Sequence, residues 1–128
     1  MTISESRLRQ YLHESEGWKR TLAFMMEENA RQKDRMAEIL QCLPDRGGLL
    51  ETAEQFQNSF VSEDETIRLL RRDIAALDKM ISKEILELGG PGQNIPARKK
   101  KIAAGIRDCI VEFSKLSFEF NNYLSDVL

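Results

Sequence analysis

Apolar and aromatic residues recur at alternating intervals of three and four in the first third of the chain. Between residues 3 and 43, eight of the eleven positions at this spacing are apolar or aromatic, and the phase never slips. The eleven positions are Leu8, Tyr11, Ser15, Trp18, Leu22, Met25, Asn29, Gln32, Met36, Ile39 and Leu43. Such a repeat is typical of a helix that packs against other helices at a shallow angle. It predicts a first helix over 3–43, with a capping box at Thr2 and Glu5 and a stop at Pro44.

The same spacing returns between residues 49 and 88, where ten of twelve positions are apolar. These positions are Leu49, Ala53, Phe56, Phe60, Glu63, Ile67, Leu70, Ile74, Leu77, Ile81, Glu84 and Leu88. The four residues that start at Ser62 also match a capping box, so a new helix could begin there. The repeat passes through Ser62 without losing phase, which favours one continuous second helix over 49–88.

A third segment, residues 97–127, has apolar or aromatic side chains at all eight repeat positions. They are Ile102, Ile106, Cys109, Phe113, Leu116, Phe120, Tyr123 and Val127. Asn94 is a suitable N-cap for this helix, with Pro96 inside its first turn. Because the connections are short, the three helices should run antiparallel, up-down-up. The sequence therefore predicts an all-α three-helix bundle, of coiled-coil type, that forms a single domain over 1–128.

Short connections also predict which residues of neighbouring helices lie at the same height. With Leu43 opposite Leu49 and Leu88 opposite Ala97, the third helix would end level with about residue 58 of the second. The tip of the hairpin formed by the first two helices would then lack a third helix to cover it. Its apolar residues are Met36, Ile39, Leu40, Leu43, Leu49, Leu50 and Phe56. We expect this tip to bind a second copy of the chain in a closed dimer, or else another helical protein.

Five polar residues are predicted to lie at one height inside the bundle. Asn29 and Gln32 occupy repeat positions of the first helix, and Glu63 comes level with Asn29. Asn121 and Asn122 of the third helix fall at the same height. A polar layer can fix the register of packed helices at some cost in stability. It could instead admit water, or form a site for a ligand or partner.

The segment 89–102, GGPGQNIPARKKKI, combines glycines, prolines and four consecutive basic residues. A phosphate-binding P-loop follows a strand, whereas this loop follows a predicted helix. The basic residues cover one helical turn without interleaved aromatic residues, which does not fit nucleic-acid binding. We therefore expect a corner between helices, with Arg98 and Lys101 compensated by Glu84 and Glu87 of the second helix and Glu5 of the first.

Composition excludes several classes of function. The 128 residues carry 19 basic and 21 acidic side chains, so the net charge of −2 gives no long-range field for nucleic acid or an anionic membrane. The longest apolar run, residues 22–26, is too short to span a membrane, and the N-terminal residues do not resemble a secretory signal. We expect no nucleic-acid partner, no membrane partner and a cytoplasmic location.

Candidate catalytic chemistry is sparse. His13 is the only histidine and falls at a predicted outward position, which leaves no histidine pair for a metal. Cys42 and Cys109 lack metal-ligand spacing, and Cys109 lies on the predicted buried face. The sequence therefore predicts no catalytic, metal or cofactor site.

Two stretches, GWKRTLAF at 17–24 and EQFQNSF at 54–60, resemble a group of short bacterial all-helical, coiled-coil proteins with no assigned function. The resemblance covers most of the predicted two-helix hairpin and implies no activity, cofactor or catalytic residue. The three-helix outline, with Trp18 on the buried face of the first helix, is also similar in architecture to spectrin-type repeats.

These observations favour a non-enzymatic interaction or scaffolding module that self-associates through the hairpin tip. The alternative is a small-molecule, metal-independent ligand binder that uses the polar layer near Asn29, Gln32 and Glu63. A pocket of useful size at that layer would favour the alternative, and a filled layer would exclude it.

Overall fold

Three long helices form the structure. The computed structural model describes residues 3–42, 49–86 and 94–127. Helix α1 spans Glu5–Cys42, α2 spans Leu49–Ile85 and α3 spans Ile95–Val127. In these residues α2 packs along both other helices, whereas α1 and α3 meet at only a few places. The predicted all-α three-helix bundle is therefore confirmed, with α2 as the central helix.

The helix starts differ slightly from the predicted ones. Ser4, rather than Thr2, caps α1: the backbone N–H of Arg7 donates to the Ser4 hydroxyl oxygen at 3.2 Å. Thr2 lies outside the described residues. Asn94 caps α3 as predicted, because its side-chain oxygen accepts a hydrogen bond from the N–H of Ala97 at 3.4 Å. Helix α3 begins two residues earlier than expected, at Ile95.

The second helix is continuous through Ser62, as the unbroken repeat predicted. Ser62 lies inside α2 and therefore does not begin a helix, and its backbone carbonyl accepts a hydrogen bond from the Thr66 hydroxyl at 3.2 Å. This bond belongs to a helix interior, where threonine can donate back to the preceding turn. The predicted last turn of this helix, residues 87 and 88, lies outside the described residues.

The core consists of two apolar clusters. The larger cluster lies toward the end of the bundle where α1 begins, and it consists of Leu8, Leu22, Met25, Ile67, Leu70, Ile74, Leu77, Ile81, Ile95, Ile102, Ile106 and Cys109. The smaller cluster lies toward the hairpin tip and consists of Met36, Ile39, Ala53, Phe60, Phe120, Tyr123 and Leu124. Half-buried Trp18 packs against the larger cluster, as its repeat position predicted.

Helix α3 covers the hairpin tip, so the prediction of a protruding tip is wrong. Phe120 lies with its ring centroid 5.5 Å from that of Phe56 and 5.2 Å from that of Phe60. Tyr123 approaches Phe56 at 5.1 Å. Among the residues assigned to the tip, Met36 and Ile39 are buried, Leu40 and Phe56 are partly buried, and Leu50 is exposed. Leu43 and the side chain of Leu49 lie outside the described part of the chain.

The error arose in the alignment of α3 with α2. The prediction placed the ends of the two helices side by side and brought Glu63 level with Asn122. In the structure Glu63 contacts Cys109, more than three helical turns away from Asn122. The first residue of α3, Ile95, is already buried against the larger cluster, so the helix extends further toward the tip.

Substitution of Phe120 tests this coverage of the tip. We expect Phe120→Ala to lower the free energy of unfolding by about 3–5 kcal/mol, because it removes a fully buried ring that joins α3 to α2. Phe118, two residues earlier on the same helix, is 67% exposed. Phe118→Ala is therefore the matched control and should change stability by less than about 0.5 kcal/mol. If urea unfolding shows that both substitutions lower the free energy of unfolding equally, the described position of α3 is wrong.

Candidate functional site

Asp78 of α2 holds two polar residues of α1. The Ser15 hydroxyl donates to Asp78 Oδ1 at 2.6 Å, and Lys19 Nζ lies 2.6 Å from Oδ2. Ser15 is fully buried, whereas the Lys19 side chain remains partly exposed. The hydrogen bonds to Asp78, and then to Glu16, raise the pKa of Lys19. The lysine therefore stays charged and pairs with the carboxylate.

Asp64 of α2 makes the same arrangement about four helical turns closer to the hairpin tip. The Asn29 amide nitrogen donates to Asp64 Oδ1 at 3.1 Å, and Lys33 Nζ lies 2.5 Å from Oδ2. Asn29 is fully buried and Asp64 is nearly so. In both cases a buried polar residue of α1 and a lysine one turn later share the two oxygens of one aspartate. We call these two groups, each an α2 aspartate with its two α1 donors, the aspartate clamps.

The spacing of the aspartate clamps determines the register of α1 against α2. The two aspartates are fourteen residues apart, as are their partners on α1. A slip of seven residues would preserve the apolar repeat but would move Leu22 or Met36 opposite Asp64. A buried carboxylate without donors costs several kcal/mol, so the slipped arrangement is strongly disfavoured.

Glu63 faces α3 rather than α1. The Cys109 thiol donates to Glu63 Oε1 across a distance of 3.5 Å, and both residues are buried. Burial raises the pKa of Glu63, with Glu112 and Asp64 adding to the rise, while the hydrogen bond from Cys109 opposes it. Burial, followed by the nearby Glu63, raises the pKa of the Cys109 thiol to about 12. This thiol therefore stays protonated and unreactive at neutral pH.

The predicted polar layer is only partly correct. Asn29 and Glu63 are buried at neighbouring heights, and the Gln32 amide nitrogen donates to the Ser117 hydroxyl of α3 at 3.4 Å. Asn121 and Asn122 are exposed and do not belong to the layer. Their absence follows from the position of α3, which brings Ser117 rather than these asparagines to the height of Gln32. The layer separates the two apolar clusters.

Sequence reasoning missed the two aspartates and the two lysines of the aspartate clamps. Asp64 and Asp78 fall one position after repeat positions 63 and 77, so the alternating spacing did not select them. A signal was nevertheless present, because Ser15 and Asn29 are polar residues at repeat positions separated by fourteen. Each is followed four residues later by a lysine.

Two side-chain oxygens in the layer accept no hydrogen bond from the described residues. Asn29 Oδ1 and Gln32 Oε1 are buried and lack a hydrogen-bond donor among the described residues. Gln32 also lines an open groove between α1 and α3 with a volume of about 700 Å³. The groove is further lined by Glu28, Arg31, Arg35, Phe120, Asn121, Leu124 and Ser125. We call it the α1–α3 groove.

The basic run at the start of α3 lies beside carboxylates of both α1 and α2. Lys99 Nζ lies 2.5 Å from Glu14 Oε2 of α1 and 4.5 Å from the centroid of the Tyr11 ring. Arg98 and Lys101 line a small pocket together with Asp73 of α2. Asp73 is about three turns from the predicted partner Glu84, as the shift of α3 toward the tip requires, and Glu87 lies outside the described residues.

The described parts of the chain lack both a cluster of metal-ligating side chains and a membrane-spanning helix. No group of three or more histidine, cysteine or carboxylate side chains in residues 3–42, 49–86 and 94–127 is arranged to hold a metal ion. No helix there has the length and apolar character needed to cross a bilayer. His13 is exposed, as predicted.

Large apolar residues are exposed on both α1 and α3. Phe24 of α1 is 56% exposed and contacts Phe113 of α3 edge-on, with ring centroids 6.3 Å apart. Ile110, Val111 and Phe118 of α3 are also exposed. Val111 and Phe118 therefore lie outside the core.

No protein-family model, curated protein or solved structure matches this chain. The resemblance of residues 17–24 and 54–60 to short bacterial helical proteins therefore stays a prediction. Any functional conclusion has to come from the geometry of the three helices.

A double-mutant cycle tests the clamp at Asp64. We expect the effects of Asn29→Ala and Asp64→Ala on the free energy of unfolding to be coupled by about 0.5–3 kcal/mol, because they share a buried hydrogen bond. Glu65, next to Asp64 but exposed, provides the control cycle with Asn29. Coupling near zero in both cycles, measured by urea unfolding, would contradict a clamp at this position.

The buried Glu63 predicts a specific pH dependence. Its pKa is raised in the folded state, so the folded chain binds the proton more tightly than the unfolded chain, whose value is near 4.5. Stability from this group is therefore present below pH 4.5 and is lost as the pH rises through the folded-state pKa. Glu63→Gln should raise the free energy of unfolding at pH 7 by on the order of 1 kcal/mol and flatten the profile above pH 4.5.

Exposed Glu65 is the matched control, since Glu65→Gln should leave the pH profile unchanged. Unfolding by urea at a series of pH values between 4 and 8 measures both variants. A Glu63→Gln chain that is less stable at pH 7 and keeps the wild-type profile would show that Glu63 is stabilised as a carboxylate.

Proposed function

We propose that this chain is a non-enzymatic helical interaction module, of coiled-coil type, that binds other helices through the exposed apolar residues beside the α1–α3 groove. The observation that carries the proposal is the contrast between two phenylalanines of α3. Phe120 is fully buried, whereas Phe118 is 67% exposed. Aromatic residues are enriched at protein interfaces, because each buries a large area when a partner covers it.

The arrangement of the helices supports the same conclusion. Because α1 and α3 meet at few places, they leave an open groove on the side of the bundle away from α2. A fourth helix that lies antiparallel to both would complete an antiparallel four-helix arrangement. Phe24 and Ile110 lie where such a helix would cover them.

The proposed contact surface differs from the hairpin tip favoured by the sequence. The apolar residues of the tip are largely covered by Phe120, Tyr123 and Leu124, so they do not form an exposed apolar surface that would favour self-association there.

A cytoplasmic location belongs to the proposal as well. It is supported by two free cysteines, Cys42 and Cys109, since thiols stay reduced in that compartment.

A second candidate function is the binding of a small molecule near the polar layer, without a metal. The supporting observation is the α1–α3 groove itself, which is lined by Gln32, whose side-chain oxygen lacks a donor among the described residues. A fourth helix and a small ligand would compete for this groove.

Affinity purification from the native cell tests the interaction module. We expect the tagged wild-type chain to retain specific proteins, its own untagged copies included, and a Phe24→Ser, Phe118→Ser chain to retain at least about tenfold less of each. Leu86→Ser is the control, because Leu86 is equally exposed but lies away from the groove. If the double variant retains the same proteins as the control, in the same amounts, the proposed surface is wrong.

A further inference from the structure

The face of α2 that points away from α1 and α3 carries a second row of exposed apolar residues. Leu50, Val61 and Leu69 are all exposed, and at 3.6 residues per turn they lie within about 100° of one another around the helix. Glu54 and Glu65 are exposed beside them. We call these five residues the α2 outer face.

We propose that the α2 outer face of one copy of the chain docks in the α1–α3 groove of a second copy. This inference rests on the proposed function, since it names the partner of the same surface. In this arrangement the docked α2 runs antiparallel to both α1 and α3, as α2 does within each copy. The two copies are then related by a sideways displacement, with little shift along the helix axis.

The apolar residues of the two surfaces match in height under this displacement. The hydrogen bond between Asn29 and Asp64 fixes the register of α1 against α2. Phe24 lies five residues before Asn29, so it is level with Leu69, five residues after Asp64. A docked α2 would therefore bring Leu69 against Phe24, whose other face contacts Phe113 of α3.

A second apolar match lies two turns further toward the tip. Gln32 lies three residues after Asn29, which makes it level with Val61. Because Gln32 donates a hydrogen bond to Ser117, the neighbouring Phe118 lies at this height too. Val61 is 52% exposed and Phe118 is the most exposed aromatic residue of the described chain. Docking would cover both at once.

Charges also match in the half of the groove near the tip. Arg35 lines the groove, and Glu54 of the α2 outer face lies about one turn from its height. Arg31 and Glu65 already pair with Glu28 and Arg68 of their own helices, and Glu28 is level with Glu65, so this end of the contact is less favourable. Opposite charges at the rim of an interface favour association and select its register. Toward the other end Arg107 lies near the height of Arg72, which is unfavourable. We therefore expect association that weakens with salt and requires micromolar or higher concentrations.

The geometry gives an open-ended assembly rather than the closed dimer expected from the sequence. Each copy uses its α2 outer face for one neighbour and its α1–α3 groove for the other. Such a heterologous contact forms a ring or a filament, because every added copy still offers a free surface. This is the behaviour of a scaffolding protein.

Two variants that each remove one surface test this inference. The groove variant carries Phe24→Ser and Phe118→Ser, and the outer-face variant carries Val61→Ser and Leu69→Ser. All four side chains are exposed, so we expect both variants to stay folded, with the groove variant melting slightly earlier because Phe24 also contacts Phe113. We expect the mass of the wild-type chain in light scattering to increase with concentration beyond two chains. Each variant alone should stay at one chain, and an equimolar mixture should form pairs that do not grow.

The mixture distinguishes a heterologous contact from a two-fold one. Only in a heterologous contact can the intact α2 outer face of the groove variant dock in the intact groove of the outer-face variant. A wild-type chain that stays at one copy at about 100 μM would overturn self-association. The interaction module would then still stand if the native-cell experiment retains other proteins. Self-association that either variant retains, or a mixture that forms no pairs, would overturn the proposed contact.

Charge reversal tests the register of the contact and does not depend on the serine variants. Arg35→Glu and Glu54→Arg should each weaken association about tenfold, whereas a chain with both changes should regain it, because the opposite charges meet again between copies. Asp34→Arg is the control, since Asp34 is exposed and does not line the groove. If the chain with both changes associates even more weakly than either single variant, without recovery, the two surfaces do not meet.

Discussion

The architecture depends on how two carboxylates at the interface of α1 and α2 are satisfied. Asp64 is buried and Asp78 is partly buried, and each is held by donors from α1 that offset the cost of losing water. The donors come in pairs, a small polar residue and a lysine one turn later. Since an apolar repeat alone tolerates a slip of seven residues, these contacts select one alignment of α1 and α2. The remaining geometry of the hairpin follows from that alignment.

The position of α3 adds a second constraint, of a different kind. On this side the contacts are mostly apolar and aromatic, with Phe120 inserted between Phe56 and Phe60 at the tip. The buried Glu63 accepts a hydrogen bond from the Cys109 thiol, and its raised pKa indicates a carboxyl group that is costly to ionise there. The two interfaces of α2 therefore differ: charged pairs fix one, and ring packing fixes the other.

The central position of α2 links stability to the proposed interaction. Its inner face uses Asp64 and Glu63 to hold α1 and α3, and its outer face remains free, with Leu69 and Val61 exposed. Because α1 and α3 meet at only a few places, the bundle has the α1–α3 groove on one side and the α2 outer face on the other. A module built this way can extend by repeating its own helix packing between copies, which is the physical basis of the proposed assembly.

The sequence by itself determined the three helices and most of the buried positions. Helix formation and apolar periodicity are local properties, so the repeat predicted the continuity of α2 at Ser62, the cap at Asn94 and the burial of Cys109. It also predicted that Asn29 and Glu63 lie inside the bundle. These results need only the 3.6-residue period and the backbone hydrogen bonds within each helix.

Only the tertiary structure decided the axial positions and the polar partners. The apolar repeat looks the same after every seven residues, so several alignments bury nearly equal apolar area, and the apolar periodicity by itself does not choose between them. Packing of Ile95 and Phe120 moved α3 toward the tip, which covered Met36 and left Asn122 in solvent. For the same reason, only the structure identified Asp64 and Asp78 as the polar partners of α1. A contact between residues of two helices depends on how the helices are aligned, and the periodicity of one helix carries no information about that alignment.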